Sequence, residues 1–473
     1  MSRPARLALS AIAGALLAAG YALHPQWWAP WLAPLPLVVA GSGSRGHARR
    51  AGAVAGAAAM IGVLGYYVEM SGWAVTLVIS LLRVGAWVFA SRLAHDAARR
   101  LPLGLAMLVL PATIAALETL TLAVSPHGAA GSLAYSQMDV PAVVQVAALG
   151  GVPAVVFLVL LPGSLAGLWG SGAWSPPQRR TAGAALVLIG TAVVLFSAGR
   201  LHAPTGSREI PVALVATDQF DGIPGEWEPV WAAYRPAVAG AARQGGLVVL
   251  PEKVALLDAA AAARAALDVA TAARAAGTTV VVGVEVRDGG TYRNRALVAG
   301  PDGRIAWYDK QRLVPGWEDR DVPGRTPLFV AAAGTHVGVA ICKDMHVPGI
   351  GREYAGSAAI VTVPAWDFGR DGWMGARMTA MRAVENGYAV ARSAREGFLG
   401  AYDRTGRTRA ERPVVGGTTI ATTTLPAHGA ETLYGRVGDV FGWICVLAVG
   451  FLAVWRRVRW SRDGRRAAIV GSP

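Results

Sequence analysis

The sequence predicts a multi-span α-helical membrane domain joined to an α/β layered domain. Three observations carry that prediction. The 473 residues are 53% hydrophobic with a mean hydropathy of +0.41, and the apolar residues concentrate before residue 200 and between residues 437 and 455. Arginines occupy every second loop between the apolar runs. A middle region alternates strand-like and helix-like segments, the mark of a layered α/β fold.

A membrane-spanning helix needs about 20 mostly apolar residues, or about 17 at the short end. Segments near that length lie at 7–23, 27–41, 51–68, 73–91, 101–124, 142–168 and 182–199, with an eighth at 437–455. The second is short and carries Pro30, Pro34 and Pro36, so it is expected to be broken or re-entrant. The charged, then apolar, stretch Met1–Leu23 resembles a signal peptide but has no clear cleavage site, and it reads as an uncleaved first helix.

Loop charge orients these spans. Arg3 and Arg6 precede the first, Arg45, Arg49 and Arg50 lie in the second loop, Arg92, Arg99 and Arg100 in the fourth, and Arg179 and Arg180 in the sixth. The loops around His24–Gln26, Glu69–Gly72 and Ser125–Asp139 have none. By the positive-inside rule the region after residue 200 lies outside, and the tail with Arg456, Arg457, Arg459, Arg462, Arg465 and Arg466 lies inside. The expected organisation is a membrane domain at 1–200 with about seven spans, an extracytoplasmic domain at 209–436, and a last span with a basic cytoplasmic tail at 437–473. Arg83 and Glu118 fall inside expected spans, where charge is costly and marks a pairing or a function.

The net charge of +14 does not point to nucleic acid, because the arginines flank apolar stretches as membrane anchors do. The two cysteines, Cys342 and Cys445, cannot form a disulfide framework, since the second lies in the last apolar run. No metal-ligand cluster is visible, and neither a metal nor another cofactor is expected. Only three of the 44 basic residues are lysines: Lys253, Lys310 and Lys343.

In the middle region, Pro211–Gln219, Leu247–Pro251, Thr278–Arg287, Arg295–Ala299, Ile305–Tyr308, His336–Cys342 and Ile360–Pro364 read as strands. Asp258–Ala276 and Gly372–Tyr388 read as helices. Three apolar strands end in a reactive group: Leu247-Val-Val-Leu-Pro-Glu252, Trp307-Tyr-Asp-Lys310 and Val337-Gly-Val-Ala-Ile-Cys342. Strand C-terminal ends are where α/β sites gather. Cysteine attacks a carbonyl as thiolate, a carboxylate can take the thiol proton and return it, and a lysine can stabilise the oxyanion. Glu252, Lys310 and Cys342 therefore supply base, electrophilic stabiliser and nucleophile for acyl transfer.

The order Glu, Lys, Cys resembles the nitrilase superfamily of carbon–nitrogen hydrolases. Within it, spans on both sides of such a domain resemble the apolipoprotein N-acyltransferase family, as a divergent relative. The similar segments are Tyr308-Asp-Lys310-Gln-Arg-Leu-Val-Pro315 with Glu318 after it, Trp366-Asp-Phe-Gly-Arg-Asp-Gly-Trp373, Ala376-Arg-Met378 and Met381-Arg-Ala-Val-Glu-Asn386. Thr432-Leu-Tyr-Gly-Arg436 with Gly438-Asp439, and in the membrane part Glu118 and Tyr135-Ser-Gln137, continue it.

The resemblance implies an αββα sandwich and a membrane N-acyltransferase of lipoprotein biosynthesis in the bacterial plasma (inner) membrane. It would move an acyl chain from a phospholipid, through a thioester on Cys342, to an amine such as a lipoprotein N-terminus. Glu318 and Asp344 would then support the site, with Trp366 a candidate substrate contact; Lys253 and Lys343, each one residue past a reactive group, are read from their charge as favouring the thiolate or as candidate substrate contacts that hold a phospholipid phosphate. The sequence departs from the family where Lys343 and Asp344 replace tyrosine and glutamate after the cysteine. It departs again at Gly316-Trp317 and at Lys253, where a small polar residue is common. Cys342-Lys-Asp is nearer to soluble amidases, so a membrane-tethered amidase is the alternative, and a catalytically dead scaffold a third.

Overall fold

The computed structural model describes residues 1–171, 174–204, 206–241, 243 and 245–454. Among the described residues, five helices are long and apolar enough to cross a membrane: Arg3–Tyr21, Leu64–Ala98, Leu103–Val124, Ala147–Gly170 and Pro176–His202. Two shorter apolar helical segments, Ala29–Gly41 and Val440–Val454, accompany them. The proline-bearing second segment is broken as expected, into Ala29–Leu32 and Pro34–Gly41. The basic tail and Trp455, which closes the expected last span, lie outside the described residues.

The third and fourth expected spans divide differently. Helix Arg45–Ala58 stops after 14 residues, and the next helix, Leu64–Ala98, runs through the expected loop at Glu69–Gly72. Gly72 takes φ +75°, a value glycine adopts freely, and bends this helix instead of ending it. Hydropathy alone could not see the stop, because the turn at residues 59–63 is as apolar as the helices around it. Arg83 and Glu118 do not pair with each other. The Arg83 guanidinium lies 4.2 Å over the Tyr21 ring, and Glu118 accepts hydrogen bonds from the Ser132 hydroxyl (2.5 Å) and the Leu133 N–H (3.2 Å).

The middle region is an αββα sandwich. One sheet holds β1 (Glu209–Thr217), β2 (Leu247–Val249), β3 (Leu256–Asp258), β4 (Thr279–Asp288), β5 (Thr291–Ala299) and β6 (Ile305–Asp309). The other holds β7 (Leu328–Ala332), β8 (Thr335–Val339), β9 (Ile360–Trp366), β10 (Ala389–Arg395), β11 (Phe398–Tyr402) and β12 (Thr408–Pro413). The last strand, β13 (Thr418–Pro426), returns to the first sheet. The orders are β13-β1-β2-β4-β5-β6, with β3 on β4, and β12-β11-β10-β9-β8-β7.

Alternate residues of facing strands build the layer between the sheets: Val212, Leu214, Val249 and Val281 from one, Val337, Val339, Ala391 and Leu399 from the other. The opposite faces of β1 and β4 pack on helices Trp227–Ala241 and Ala259–Ala276. Asp258 caps the second of these helices and Gly277 (φ +60°) ends it. On the far side, helix Gly372–Asn386 is buried along nearly its whole length. Ala383 joins the core of the second sheet, while Met374, Met378, Met381 and Val384 share a cluster with Leu17, Leu37 and Val155 of the membrane helices. The two halves are therefore packed together through this helix.

Candidate active site

The sandwich brings three strand ends to one place. β2 runs into Pro251-Glu252, β6 ends beside Lys310, and β8 leads through Ala340-Ile341 to Cys342. The Glu252 N–H donates to the Ala365 carbonyl across the two sheets (3.2 Å), and the Lys310 N–H donates to the Asn294 carbonyl (2.9 Å). Cys342 opens a one-turn 3-10 helix, Cys342–His346, with φ +41°. A non-glycine residue in that region costs about 1–3 kcal/mol and persists only where its surroundings impose it.

Lys310 is the hub. Its ammonium donates to Glu252 Oε1 (2.7 Å) and Glu318 Oε2 (2.9 Å) and is wholly buried. The Asn294 amide donates to both carboxylates, at 2.5 Å to Glu252 and 2.7 Å to Glu318. The Val314 N–H donates to Glu318 Oε2 (2.8 Å), which closes the lysine segment on itself. Asp344 ties the cysteine turn to that segment. It accepts from the Ile341 N–H (2.9 Å) and the Tyr308 hydroxyl (2.8 Å) with one oxygen, and from the Gln311 and Arg312 N–H groups (3.1 and 2.7 Å) with the other. The Cys342 thiol lies 3.6 Å from the Trp366 carbonyl.

The electrostatics follow from burial. Burial and then the Glu252 carboxylate push the Cys342 thiol well above its usual pKa, and Lys310 opposes them without prevailing. The thiol therefore rests protonated. Burial works against the Lys310 ammonium, but Glu252 and Glu318 hold its pKa well above the ordinary value. Burial likewise works against the Glu318 carboxylate, yet Lys310 and Lys253 bring it down to about 2. The resting arrangement is a neutral thiol beside a charged lysine–carboxylate cluster. Such a thiol needs a base to become a nucleophile.

Residues 212–423 match the carbon–nitrogen hydrolase family, and residues 13–165 match the family described as the apolipoprotein N-acyltransferase N-terminal domain. An apolipoprotein N-acyltransferase of Geobacter metallireducens is 27% identical over 94% of this chain and 94% of its own. Both parts of the chain are thus similar to the apolipoprotein N-acyltransferases of the nitrilase superfamily. A second relative of that name, from Bradyrhizobium diazoefficiens, is 37% identical over 20% of this chain and 19% of its own. Among solved structures, an amidase from Nesterenkonia sp. is 22% identical, with a TM-score of 0.41, over 48% of this chain and 92% of that one. A carbon–nitrogen hydrolase superfamily protein from Xanthomonas campestris is 21% identical, with a TM-score of 0.39, over 46% and 90%. The match over residues 212–423 and the full-length relative support an enzyme of the carbon–nitrogen hydrolase superfamily, and the apolar helices fit a membrane protein.

This N-acyltransferase relative places its unusual residues unequally. Lys253, expected to meet substrate, instead has its ammonium among Asp321 (3.0 Å), Glu318 (3.1 Å) and Glu285 (3.2 Å). Three carboxylates saturate it, which corrects that expectation. Its φ of +48° turns the chain after Glu252 and sends the side chain into this cluster. Trp366 stands beside the thiol. Its carbonyl faces the thiol, the Arg395 guanidinium lies 4.2 Å over its ring, and its indole N–H is buried without a partner.

Sequence reasoning missed Asn294 and the Arg392–Asp367 pair, both charges of which bear on Cys342. Asn294 did leave a signal: an amide at an inward position of β5, in a residue type depleted from strands.

The membrane half also reaches the site. The Ala129 N–H donates to the His346 carbonyl (2.8 Å), and Gly128 (φ +57°) sits so close that a Cβ would lie 2.2 Å from that oxygen. The Tyr66 hydroxyl donates to Asp371 (2.6 Å), and Arg370 pairs with Glu69 (2.8 Å), so the loop after Trp366 is held from the same side.

Proposed function

We propose that this protein is a phospholipid-dependent N-acyltransferase of the bacterial plasma membrane, with residues 209–436 on the extracytoplasmic side. Glu252 takes the Cys342 proton as sulfur attacks an ester carbonyl of the phospholipid. A carbon–sulfur bond forms, the ester carbon–oxygen bond breaks, and the lyso-lipid alcohol leaves with the proton from Glu252. An amine, such as a lipoprotein N-terminus, then attacks the thioester. The amide bond forms, the carbon–sulfur bond breaks, and the amine proton returns through Glu252 to sulfur. Lys310 stabilises both oxyanions, Glu318 and Asn294 hold Lys310 and Glu252 in place, and Asp344 fixes the cysteine turn. Trp366 lines the approach to the thiol.

The observation that carries the reading is the seating of the Cys342–His346 turn against residues 128–129 of the membrane half. That contact seats the nucleophile's turn on a loop that joins two apolar helices, which favours a lipid substrate over a soluble amide. The test is to incubate the full chain in mixed micelles with a diacyl phospholipid and weigh it. A fatty-acyl adduct, absent from Cys342→Ala, is expected, along with its release by an N-terminal diacylated lipopeptide. An adduct that water alone discharges, or one formed only from small amides, would replace this reading with the tethered amidase.

A further inference from the structure

Lys343 is the one lysine of the three whose ammonium has no carboxylate partner among the described residues. Lys253 and Lys310 are each bound by two or more. Yet Lys343 is only 3% exposed. Its Nζ contacts Nδ1 of His127 at 3.4 Å, across the junction with the membrane half. A buried, uncompensated charge costs several kcal/mol, and proteins ordinarily pair it.

The neighbours deepen the anomaly. The Arg312 side chain lies close enough for its charge to bear on Lys343, makes no ion pair among the described residues, and has a buried Nε without a hydrogen-bond partner. Its backbone is pinned by Asp344, so the guanidinium is carried by a fixed segment. The other titratable groups acting on Lys343 are Lys310, Cys342 and Glu318. Burial, then Lys310, bring the Lys343 ammonium down to about 8, so it remains mostly charged at neutral pH. Burial and Lys343 hold His127 at about 4, so its imidazole is neutral and can accept from the ammonium. Besides Lys310, two further cations thus stand close to the nucleophile's turn, and the Lys343 ammonium lies against the neutral imidazole of His127 from the membrane half.

We propose that Lys343, with Arg312 beside it, binds the phosphodiester of the acyl-donor lipid while its ester carbonyl lies at Cys342. The inference rests on the transferase reading above and adds the group by which the donor is chosen. A phosphate oxygen supplies the negative partner that Lys343 lacks among the described residues. Lys343 acts on it as a point charge, and Arg312 offers its planar donors. The position is adjacent in sequence to the nucleophile, so a headgroup held there keeps the glycerol esters within reach of sulfur.

The experiment compares two donors with identical acyl chains, phosphatidylglycerol and diacylglycerol, in the same neutral micelles. The rate of acyl-adduct formation on Cys342 in the full chain is followed by intact mass. Wild type is expected to prefer phosphatidylglycerol. In Lys343→Met that preference should fall by about 10–100-fold, the range lost with a hydrogen bond to a charged group. Arg312→Gln should lower it in the same sense by a smaller factor, and Lys343→Arg should recover part of it.

Equal losses with both donors in Lys343→Met would overturn the inference, because a folding defect or a changed thiol does not distinguish them. An unchanged preference would overturn it too. Inorganic phosphate that alters acylation from diacylglycerol in wild type, but not in Lys343→Met, would reassign the pocket to free phosphate and reject the lipid. If wild type forms no acyl adduct from either lipid, the transferase reading itself fails, and that result is distinct from each of the others.

Discussion

Removing the Lys253 ammonium tests the buried charge cluster that surrounds the site. Lys253 lies within 3.2 Å of Glu285, Glu318 and Asp321, and all four side chains are buried. Lys253→Met leaves three carboxylates with one cation fewer. The folded protein can escape part of the penalty by binding a proton in place of the lysine. That proton costs about 1.4 kcal/mol for each pH unit above an ordinary carboxylate pKa of about 4, hence about 4 kcal/mol at pH 7 and about 1.4 at pH 5. The first figure agrees with the roughly 3–5 kcal/mol lost when one partner of a buried ion pair is deleted.

The sign is fixed by linkage. In the wild type, burial already raises Glu285, and its carboxylate neighbours hold Lys253 above its ordinary pKa despite burial, so Lys253 stays charged from pH 5 to 8. In the variant the cluster's folded-state carboxyl pKa rises further. A raised carboxyl is not a liability below its unfolded pKa of about 4, and the deficit grows as pH climbs toward the folded value. At about 2–4 °C per kcal/mol for a unit of 150–250 residues, the variant should melt about 8–16 °C below wild type at pH 7 and about 3–6 °C below it at pH 5. Thermal unfolding of the two proteins in one detergent across that range measures it. A gap that does not change with pH would refute the proton-for-lysine exchange.

Three further outcomes are expected. Glu252→Gln should abolish acyl transfer yet speed alkylation of Cys342 by iodoacetamide at pH 7, because the carboxylate that raises the thiol pKa is gone; slower alkylation across the whole pH profile would contradict the assigned electrostatics. Asn294→Leu leaves Glu252 and Glu318 without their shared donor and should cut turnover about 100-fold or more at unchanged donor affinity; a change confined to KM would move Asn294 to substrate binding. Single cysteines introduced at Gly303 and Ser171 should be labelled by an impermeant maleimide from outside and from inside the cell, respectively; the reverse pattern would sink the extracytoplasmic assignment.

The three site residues were legible because each ends an apolar strand, and such a strand has few topological choices for where its end can point. Lys310 and Cys342 also stood out as rare residue types. What the sequence concealed was partnership. Lys253 and Lys343 look alike in the chain, each one residue past a reactive group, yet one is enclosed by three carboxylates and the other by none. Those carboxylates arrive from β4 and from the loop after Pro315, and no local pattern encodes that convergence. The membrane half shows the same limit. Composition located Leu103–Val124 and Pro176–His202 well, but the stop after Ala58 and the bend at Gly72 depend on backbone torsions that hydropathy does not register.

The helix Gly372–Asn386, buried against both the second sheet and the membrane helices, has a consequence for how the chain is made. Its methionine face completes a cluster whose members in the membrane half, from Ala13 to Leu160, are synthesised much earlier. Roughly 170 residues separate His202 from Gly372. At about 5–20 residues per second, the ribosome takes about ten to thirty seconds to cover that distance. During this interval the apolar face that the membrane helices offer to Gly372–Asn386 is uncovered, because that helix is made only after β9. Translation therefore leaves a window in which the nascent protein depends on lipid or on a holdase to cover that face, and a pause between codons 203 and 371 would lengthen it.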